Sequence, residues 1–396
     1  GNLKEALAII READSLSVEK LGTKNVSHAL CVFNIGRTYD YAGRSVETKE
    51  NYLEAIRLWE KEIGQLDAGY CWALNNMAIY HLERYQYEEA APYYARCIEA
   101  SEKILGNNNR DYGFFLTNWA NYFKAKAQFE AELKLRYKAK DVFENASGKG
   151  SDDYAWCLIE LSNCYQAMGR YGQVTEMLLE AQAAMGNSLG TSHRYYASCL
   201  NNLATNYERT GEFSNVEPLY KEAINIILNR TPLNQQSYGL FSNNLAVYYY
   251  KIGQYEDSEH IFVSLREVWR KAFGEKSTSF AFYITNHANL YLRQERYEMA
   301  DSLFRMAMDI RRELAVTQHP NYANILYGLG SVKLETGDPT EAEKLFLEAK
   351  DIYAATQGME HPNYSKSLRG LANAYAAQGK CLEADTTMLD AVNILS

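Results

Sequence analysis

The sequence predicts an all-α fold, a superhelical solenoid of antiparallel helix pairs on a 42-residue repeat. Three observations carry that expectation. First, the stretch HPNYANILYGLGSVKLETGDPTEAEKLFLEAKDIYAATQGME at 319–360 is followed at once by a second HPNY at His361. Second, similar segments open at Ser277, Gln235, His193, Ser151, Asn109, Asp67 and Asn25, giving nine units at one unbroken period, the signature of stacked repeats. Third, 396 residues exceed what one hydrophobic core usually holds. A stack in which each unit packs only on its neighbours removes that limit. With six prolines and no Ser/Gly-rich run, one continuous array over 1–396 is the simplest domain reading.

Residues 1–24 read as a helix, with Leu3, Ala6, Leu7, Ile10 and Ala13 at helical spacing. They match the second half of a repeat. Because Gly1-Asn2-Leu3-Lys4-Glu5-Ala6 falls in register with GDPTEA at 337–342, the native N-terminus is expected to be missing. Each full unit opens on a polar residue, followed in two units by proline (Pro320, Pro362), which suits the first turn of a helix. An aromatic comes next: Tyr70, Tyr112, Tyr154, Tyr196, Tyr238, Phe280, Tyr322 and Tyr364, with His28 the exception. A small residue then recurs in every unit (Ala29, Cys71, Gly113, Ala155, Ala197, Gly239, Ala281, Ala323, Ser365), which permits close helix contact.

The first helix continues through pairs such as Leu203-Ala204, Leu245-Ala246 and Leu329-Gly330 to an aromatic at Tyr207, Tyr249, Tyr291 or Tyr375. Glycine stops it in six units, at Gly43, Gly169, Gly211, Gly253, Gly337 and Gly379, as expected where a left-handed residue ends a helix. The second helix starts near an aromatic such as Tyr255 or Tyr297, and carries a small residue such as Ala300 and a large one such as Phe304. Two units are irregular. Ser45 and Thr48 replace the aromatic and alanine in the first, and Glu132 and Arg136 fill slots that are usually apolar in the third.

Leu-Gly/Ala, Tyr, Gly-x-Tyr, Ala, Phe/Tyr, Ala resembles the tetratricopeptide pattern. LNNLATNYERTGEFSNVEPLYKEA at 200–223 is similar to the kinesin light-chain type of that repeat, and the H-P-N-Y-A opening resembles bacterial arrays beside CHAT-type, caspase-like protease domains. The resemblance covers nearly the whole chain. It implies a solenoid with a concave groove lined by the first helices. The usual period is about 34, and the extra residues are expected to lengthen the second helix.

Net charge of −9 and a pI of about 5.5 argue against nucleic acid, which needs a basic stripe. No apolar run approaches the length of a membrane span. Seven cysteines without a CxxC pair, three of them (Cys31, Cys157, Cys199) in a slot shared with Phe and Ile, read as buried reduced thiols. A reducing, cytoplasmic compartment fits that reading.

One slot on the first helix holds Asn34, Asn76, Asn118, Glu160, Asn202, Asn244 and Asn286, then Gly328 and Gly370. The resemblance places it in the groove. Asparagine is a mediocre helix former, so the run has a cause: a ladder of amides for an extended peptide backbone, or bonds that hold repeat to repeat. Both readings stand. Seven residues on lie Arg209, Lys251 and Arg293, in consecutive repeats. With Asn202, Asn244 and Asn286 they resemble the Asn-plus-base set by which some co-chaperone arrays hold a peptide carboxylate. Solvated bases on a helix edge are the alternative. Asn76 and Asn118 complete the candidate contact set. Earlier in the chain Leu30, Phe33, Trp72, Phe114, Trp156 and Ile159 occupy first-turn slots, as groove anchors or as packing between helices.

No catalytic, cofactor or metal motif is present. The seven histidines are dispersed, with three in the repeat-opening slot (His193, His319, His361), and none has metal-ligand spacing. The sequence therefore points to a non-enzymatic scaffold that binds a protein or an extended, acidic peptide segment. Alternatives are a regulatory region of a larger CHAT-type protease and a self-assembly module. The latter is suggested by Met388, Leu389, Val392 and Leu395 on the last helix.

Overall fold

The computed structural model describes residues 3–63 and 67–394, so expectations placed on Gly1, Asn2 and Leu395 fall outside it. The half-repeat is α1 (Leu3–Leu21). Among the described residues nine first helices follow: α2 (Val26–Tyr41), α4 (Ala68–Leu82), α6 (Arg110–Ala125), α8 (Asp152–Ala167), α10 (Arg194–Thr210), α12 (Gln235–Lys251), α14 (Thr278–Arg293), α16 (Pro320–Glu335) and α18 (Pro362–Ala377). They alternate with second helices α3 (Ser45–Arg57), α5 (Tyr87–Ile104), α7 (Phe129–Ser147), α9 (Val174–Ser188), α11 (Val216–Leu228), α13 (Tyr255–Phe273), α15 (Tyr297–Glu313), α17 (Pro339–Gln357) and α19 (Cys381–Asn393). The fold is the expected all-α solenoid of helix pairs. The chain divides into two compact units, residues 1–122 with 134–148, and residues 123–133 with 149–396. Second helices vary more than first helices: α7, α13 and α17 reach 19 residues, whereas α3, α11 and α19 have 13, so the lengthening expected of the second helix is seen in some repeats and not in others.

The polar residue opening each unit is a helix cap. Side chains of Asn25, Asp67, Ser151 and Ser277 accept hydrogen bonds from N–H groups that the first turn leaves without helical partners. In the unit expected to open at Gln235 the cap is instead Asn234, whose Oδ1 accepts from Ser237 N at 2.9 Å. His193, His319 and His361 cap through the ring: Nδ1 accepts from Tyr195, Asn321 and Asn363 N at 3.3, 3.1 and 3.0 Å. A ring nitrogen can accept only while unprotonated. Burial agrees with that requirement, holding His319 down at about 3 and lowering His361 and His193.

The small-residue slot is buried in all nine units. At Gly113 a Cβ would stand 2.6 Å from the Phe143 ring, so the second helix of that repeat closes directly onto the first-helix backbone. The same device ends the asparagine run. A Cβ at Gly328 would meet Phe304 Cζ at 2.2 Å, and one at Gly370 would meet Phe346 Cε1 at 2.8 Å. Both rings are buried, and they fill the space a ladder amide would need.

All six stop glycines have positive φ, between 69° and 88°. The three units lacking glycine adopt the same conformation with Tyr85 (59°), Ala127 (54°) and Glu295 (60°). In every repeat the N–H of the following residue then donates to the carbonyl of the residue five back, at 2.8–3.0 Å, as Gln254 to Tyr249 and Arg296 to Tyr291. The irregular units keep this geometry. Thr48 is buried with Oγ1 donating to Arg44 O at 2.8 Å, and the fully buried Arg136 donates through Nη2 to Asn121 Oδ1 at 2.6 Å. In the shared slot Cys157 and Cys199 are free and buried, as expected, while Cys31 is free and only partly buried; Cys71, Cys97 and Cys164 are also free and buried, whereas Cys381 is exposed.

Two outcomes are expected. Gly328→Ala should destabilise the fold by about 1–3 kcal/mol, because Phe304 is enclosed and cannot yield; chemical denaturation would show it, and an unshifted midpoint would contradict the packing. His319 has a folded pKa below its unfolded value, so its neutral form stabilises the fold above about pH 6.5. That contribution is lost as pH falls toward the folded value, at most about 1.4 kcal/mol per pH unit. Replacing it with another cap acceptor, His319→Asn, should flatten the stability profile between pH 6.5 and 5; a slope equal to the parent's would remove the ring from the account.

Candidate functional site: a cationic, amide-lined groove

In the unit of residues 123–133 and 149–396, consecutive first helices touch one another, α8 with α10, then α10 with α12, and so to α18. This puts them on the inner side of the curve. The row curls until its start meets its end: Gln357 Nε2 donates to Ala167 O at 2.9 Å. Beside that bond a Cβ on Gly169 would lie 3.2 Å from both His361 Nε2 and Pro362 Cδ.

The row encloses a cavity of about 520 Å³, whose lining includes Glu208, Arg209, Asn244, Lys251, Asn286 and Lys366. A second recess of about 490 Å³ adjoins it, lined by Leu292, Arg293, Tyr297 and Tyr327 among others. Tyr250, Lys251, Asn289 and Lys366 line both. Three of the four bases lining them have no carboxylate partner, although Glu295 and Glu335 also line the recess. Lys251 Nζ donates to Glu208 Oε1, whereas Arg209, Arg293 and Lys366 form no ion pair or hydrogen bond among the described residues. Lys366 rests its ammonium 4.0 Å from the centre of the Tyr327 ring. Burial, and then the charges of Arg293, Arg209, Lys251 and Arg369, bring it down to about 8. Burial, with Arg209 and Arg293, also lowers Lys251 against the opposing pull of Glu208.

The expected contact residues are only partly brought together. Arg209, Lys251, Asn244 and Asn286 line the main cavity and Arg293 the adjoining recess. Asn202 lies off the cavity: its Nδ2 donates to Asn163 Oδ1 at 2.7 Å and its carbonyl accepts from Gln166 Nε2 at 3.2 Å. Asn76 and Asn118 belong to the other unit. Asn76 lines a separate cavity of about 660 Å³ there, with Leu30, Phe33, Arg37 and Trp72. Of the remaining aromatic slots, Phe114 packs on Phe143 at 5.3 Å and Trp156 on Tyr195 at 4.8 Å, while Ile159 is buried.

The asparagines bond one another. Asn286 Nδ2 donates to Asn243 Oδ1 at 3.3 Å, and Asn243 Nδ2 to Asn244 Oδ1 at 3.4 Å. Asn244 Nδ2 reaches Asn201 Oδ1 at 3.1 Å, and Asn201 Nδ2 reaches Asn202 Oδ1 at 3.0 Å. The other unit repeats this motif, with Asn118 donating to Asn75 at 3.1 Å and Asn75 to Asn76 at 3.2 Å. Asn118, Asn202, Asn244 and Asn286 thus each link two repeats with one N–H and keep a second N–H. Sequence reasoning missed the buried partners Asn75, Asn201 and Asn243, although the Asn-Asn doublets at 75–76, 201–202 and 243–244 display them. It also missed Lys366, whose slot holds Asn324 and Phe282 in the two preceding repeats and so showed no basic pattern.

The sequence profile described as tetratricopeptide repeat matches residues 239–313, 281–355 and 321–396, and a second profile of the same description matches 71–111. Together they span half of the chain. The chain belongs to the tetratricopeptide repeat family. No curated protein matches this tetratricopeptide array. Among solved structures it is similar to a Rap protein complexed with Competence and Sporulation Factor, at 11% identity and a TM-score of 0.66 over 92% of this chain and 97% of that one. NprR in complex with its cognate peptide NprX is similar at 15% identity and a TM-score of 0.53, over 81% and 88%. Kinesin light chain-like, nearly identical TPR-like repeats from Podosopora anserina match at 19% identity and a TM-score of 0.29, over 62% and 96%. Among the described residues of the array no helix is long and apolar enough to cross a membrane, and no acidic, histidine or cysteine cluster could hold a metal ion.

Cutting the amide chain has a readable consequence. Asn243→Ala leaves Asn286 without its acceptor and Asn244 without its donor in a buried setting. A loss of about 1–3 kcal/mol is expected by denaturation, and a neutral result would mean these amides do not couple the repeats.

Proposed function

We propose that this array is a non-enzymatic scaffold whose groove, in the unit of residues 123–133 and 149–396, binds an extended peptide segment through carboxylates. The observation that carries this reading is the set of bases without carboxylate partners, Arg209, Arg293 and Lys366, lining two adjoining cavities in a chain of net charge −9. Like charges gathered this way repel one another, and a bound anion relieves them. The amides of Asn244 and Asn286 offer their remaining N–H and lone pair to a peptide backbone. Support of a coarser kind comes from the Rap and NprR structures, which share the fold and are complexed with Competence and Sporulation Factor and with the cognate peptide NprX, respectively.

The test is fluorescence anisotropy with a labelled pool of random heptapeptides bearing free C-termini, and with its neutral, amidated counterpart. The acidic fraction should bind, more weakly at high salt because exposed charges are screened. Arg209→Glu, Lys251→Glu and Arg293→Glu together should reduce affinity by at least about tenfold, since each charge-assisted bond contributes roughly 1.5–3 kcal/mol. Unchanged affinity in a triple variant with the parent's circular dichroism would refute the assignment. The Lys366 ammonium, at about 8, is lost as pH rises. Binding should therefore weaken between pH 7 and 9, and Lys366→Arg should remove that dependence.

A further inference from the structure

Another recess in the same unit lies apart from the groove and shares no lining residue with it. It holds about 410 Å³, is lined by α14 and by the second helices α13 and α15, and is mostly apolar. Three departures from the repeat meet there. His287 occupies a slot that is apolar in every other unit, as Leu203, Leu245, Leu329 and Leu371 show. Met306 stands where the other units carry polar or charged residues, among them Glu222, Ser264 and Glu348. Met299 stands where Glu47, Glu89, Asp257, Glu341 and Glu383 do. Both methionines are exposed, at 38% and 41%. Packing alone would keep an apolar residue inside and charges outside.

Apart from two tyrosines, the polar side chains of the lining are His287, Ser302, Arg266 and Glu298. The last two are exposed and form no ion pair among the described residues, so charges of both signs stand beside the recess. His287 stacks on Phe262 at 5.1 Å and lies 4.6 Å from Tyr291, with Nε2 buried and without a hydrogen-bond partner among the described residues. Burial holds the ring down at about 4. At neutral pH it is therefore uncharged, with one donor and one acceptor.

We infer that this recess binds a small, uncharged aromatic molecule carrying one hydroxyl or N–H group. Its ring packs against the methionine sulfurs and the tyrosine rings, and its polar group takes the hydrogen bond that His287 lacks. The volume falls within the roughly 300–1,000 Å³ of small-molecule sites, whose lining is likewise mainly apolar with a few polar groups. A charged ligand would lose its hydration against such a lining. Methionine is unbranched and has three rotatable bonds, so it can shift to let a ligand atom reach the enclosed nitrogen.

The test is a ligand-observed NMR titration of the full chain with 2-naphthol, with 2-methylnaphthalene, in which a methyl replaces the hydroxyl, and with the charged 2-naphthoate. 2-Naphthol should bind most tightly of the three. His287→Leu restores the residue of the neighbouring repeats. It should weaken 2-naphthol about three- to tenfold, as expected for one net hydrogen bond, and leave 2-methylnaphthalene within about twofold. Its denaturation midpoint should not fall below the parent's. Met306→Glu changes an exposed residue, leaves His287 in place and tests the site independently; it should weaken both neutral probes about fivefold or more. Equal losses of both neutral probes on His287→Leu would overturn the hydrogen bond, and tightest binding by 2-naphthoate would overturn the uncharged class. Affinities unchanged by Met306→Glu, or no saturable binding of either neutral probe to the parent, would overturn the site. A dimer in light scattering that Met306→Glu dissociates, without probe binding, would make the recess a contact between copies and reject the small-molecule reading.

Discussion

Each of the nine repeats turns on the same backbone closure, a left-handed residue followed by an N–H that returns to the carbonyl five residues back. The bond fixes the angle at which the chain leaves the first helix, and so where the second helix can land. Everything downstream depends on that angle recurring. The buried small-residue slot works only if a second-helix ring arrives at the same height each time, as Phe143 does over Gly113. The closure is strong enough to be kept where it is costly. Tyr85, Ala127 and Glu295 hold a conformation that costs an L-residue roughly 1–2 kcal/mol. Stacked repeats share their interfaces, so one turn out of register would spoil two of them.

Constant geometry is also what builds the groove. Slots that are 42 residues apart in the chain become neighbours on the inner wall, so one chemical choice repeated along the sequence becomes a line in space. The asparagines show this best, since each bonds an amide one repeat away. The line ends where packing claims its space, because the Phe304 and Phe346 rings fill the positions beside Gly328 and Gly370. Beyond that point other slots supply the polar wall. Asn324 stands on α16 and accepts from Tyr353 Oη at 2.7 Å, and Lys366 stands on α18.

What could be read from the sequence follows the same division. Period, helix pairing, stop glycines and the buried small slot were legible because each is imposed by a rule that acts on one repeat at a time. Positive φ at Tyr85 or Glu295 was not, since nothing in those side chains announces it and only the register requires it. Among groove residues, Arg209, Lys251 and Arg293 were visible as a repeated basic slot. Lys366 was not, because it reaches the cavity from a slot that is otherwise Phe or Asn, and curvature alone brings it there. Asn76 and Asn118 were placed with the others on slot identity, but the chain's division into two compact units assigns them elsewhere. The one-residue shift from Gln235 to Asn234 has a simple cause: glutamine is too long to cap its own helix, and the asparagine before it is not.

The cationic groove differs from the matched pairs on other faces, such as Arg296 with Glu259 at 2.8 Å or Lys380 with Glu343 at 2.8 Å. Along its cavities Arg209, Arg293 and Lys366 stand without carboxylate partners, and burial together with the neighbouring charges brings the Lys366 ammonium down toward neutrality. The cost of keeping them apart from the available acids is carried by the free protein. On the proposed reading it is relieved by the ligand's carboxylate. Because Lys366 is then favoured in its charged form, binding must also take up protons near pH 8, which ties the affinity of the groove to the charge state of one side chain.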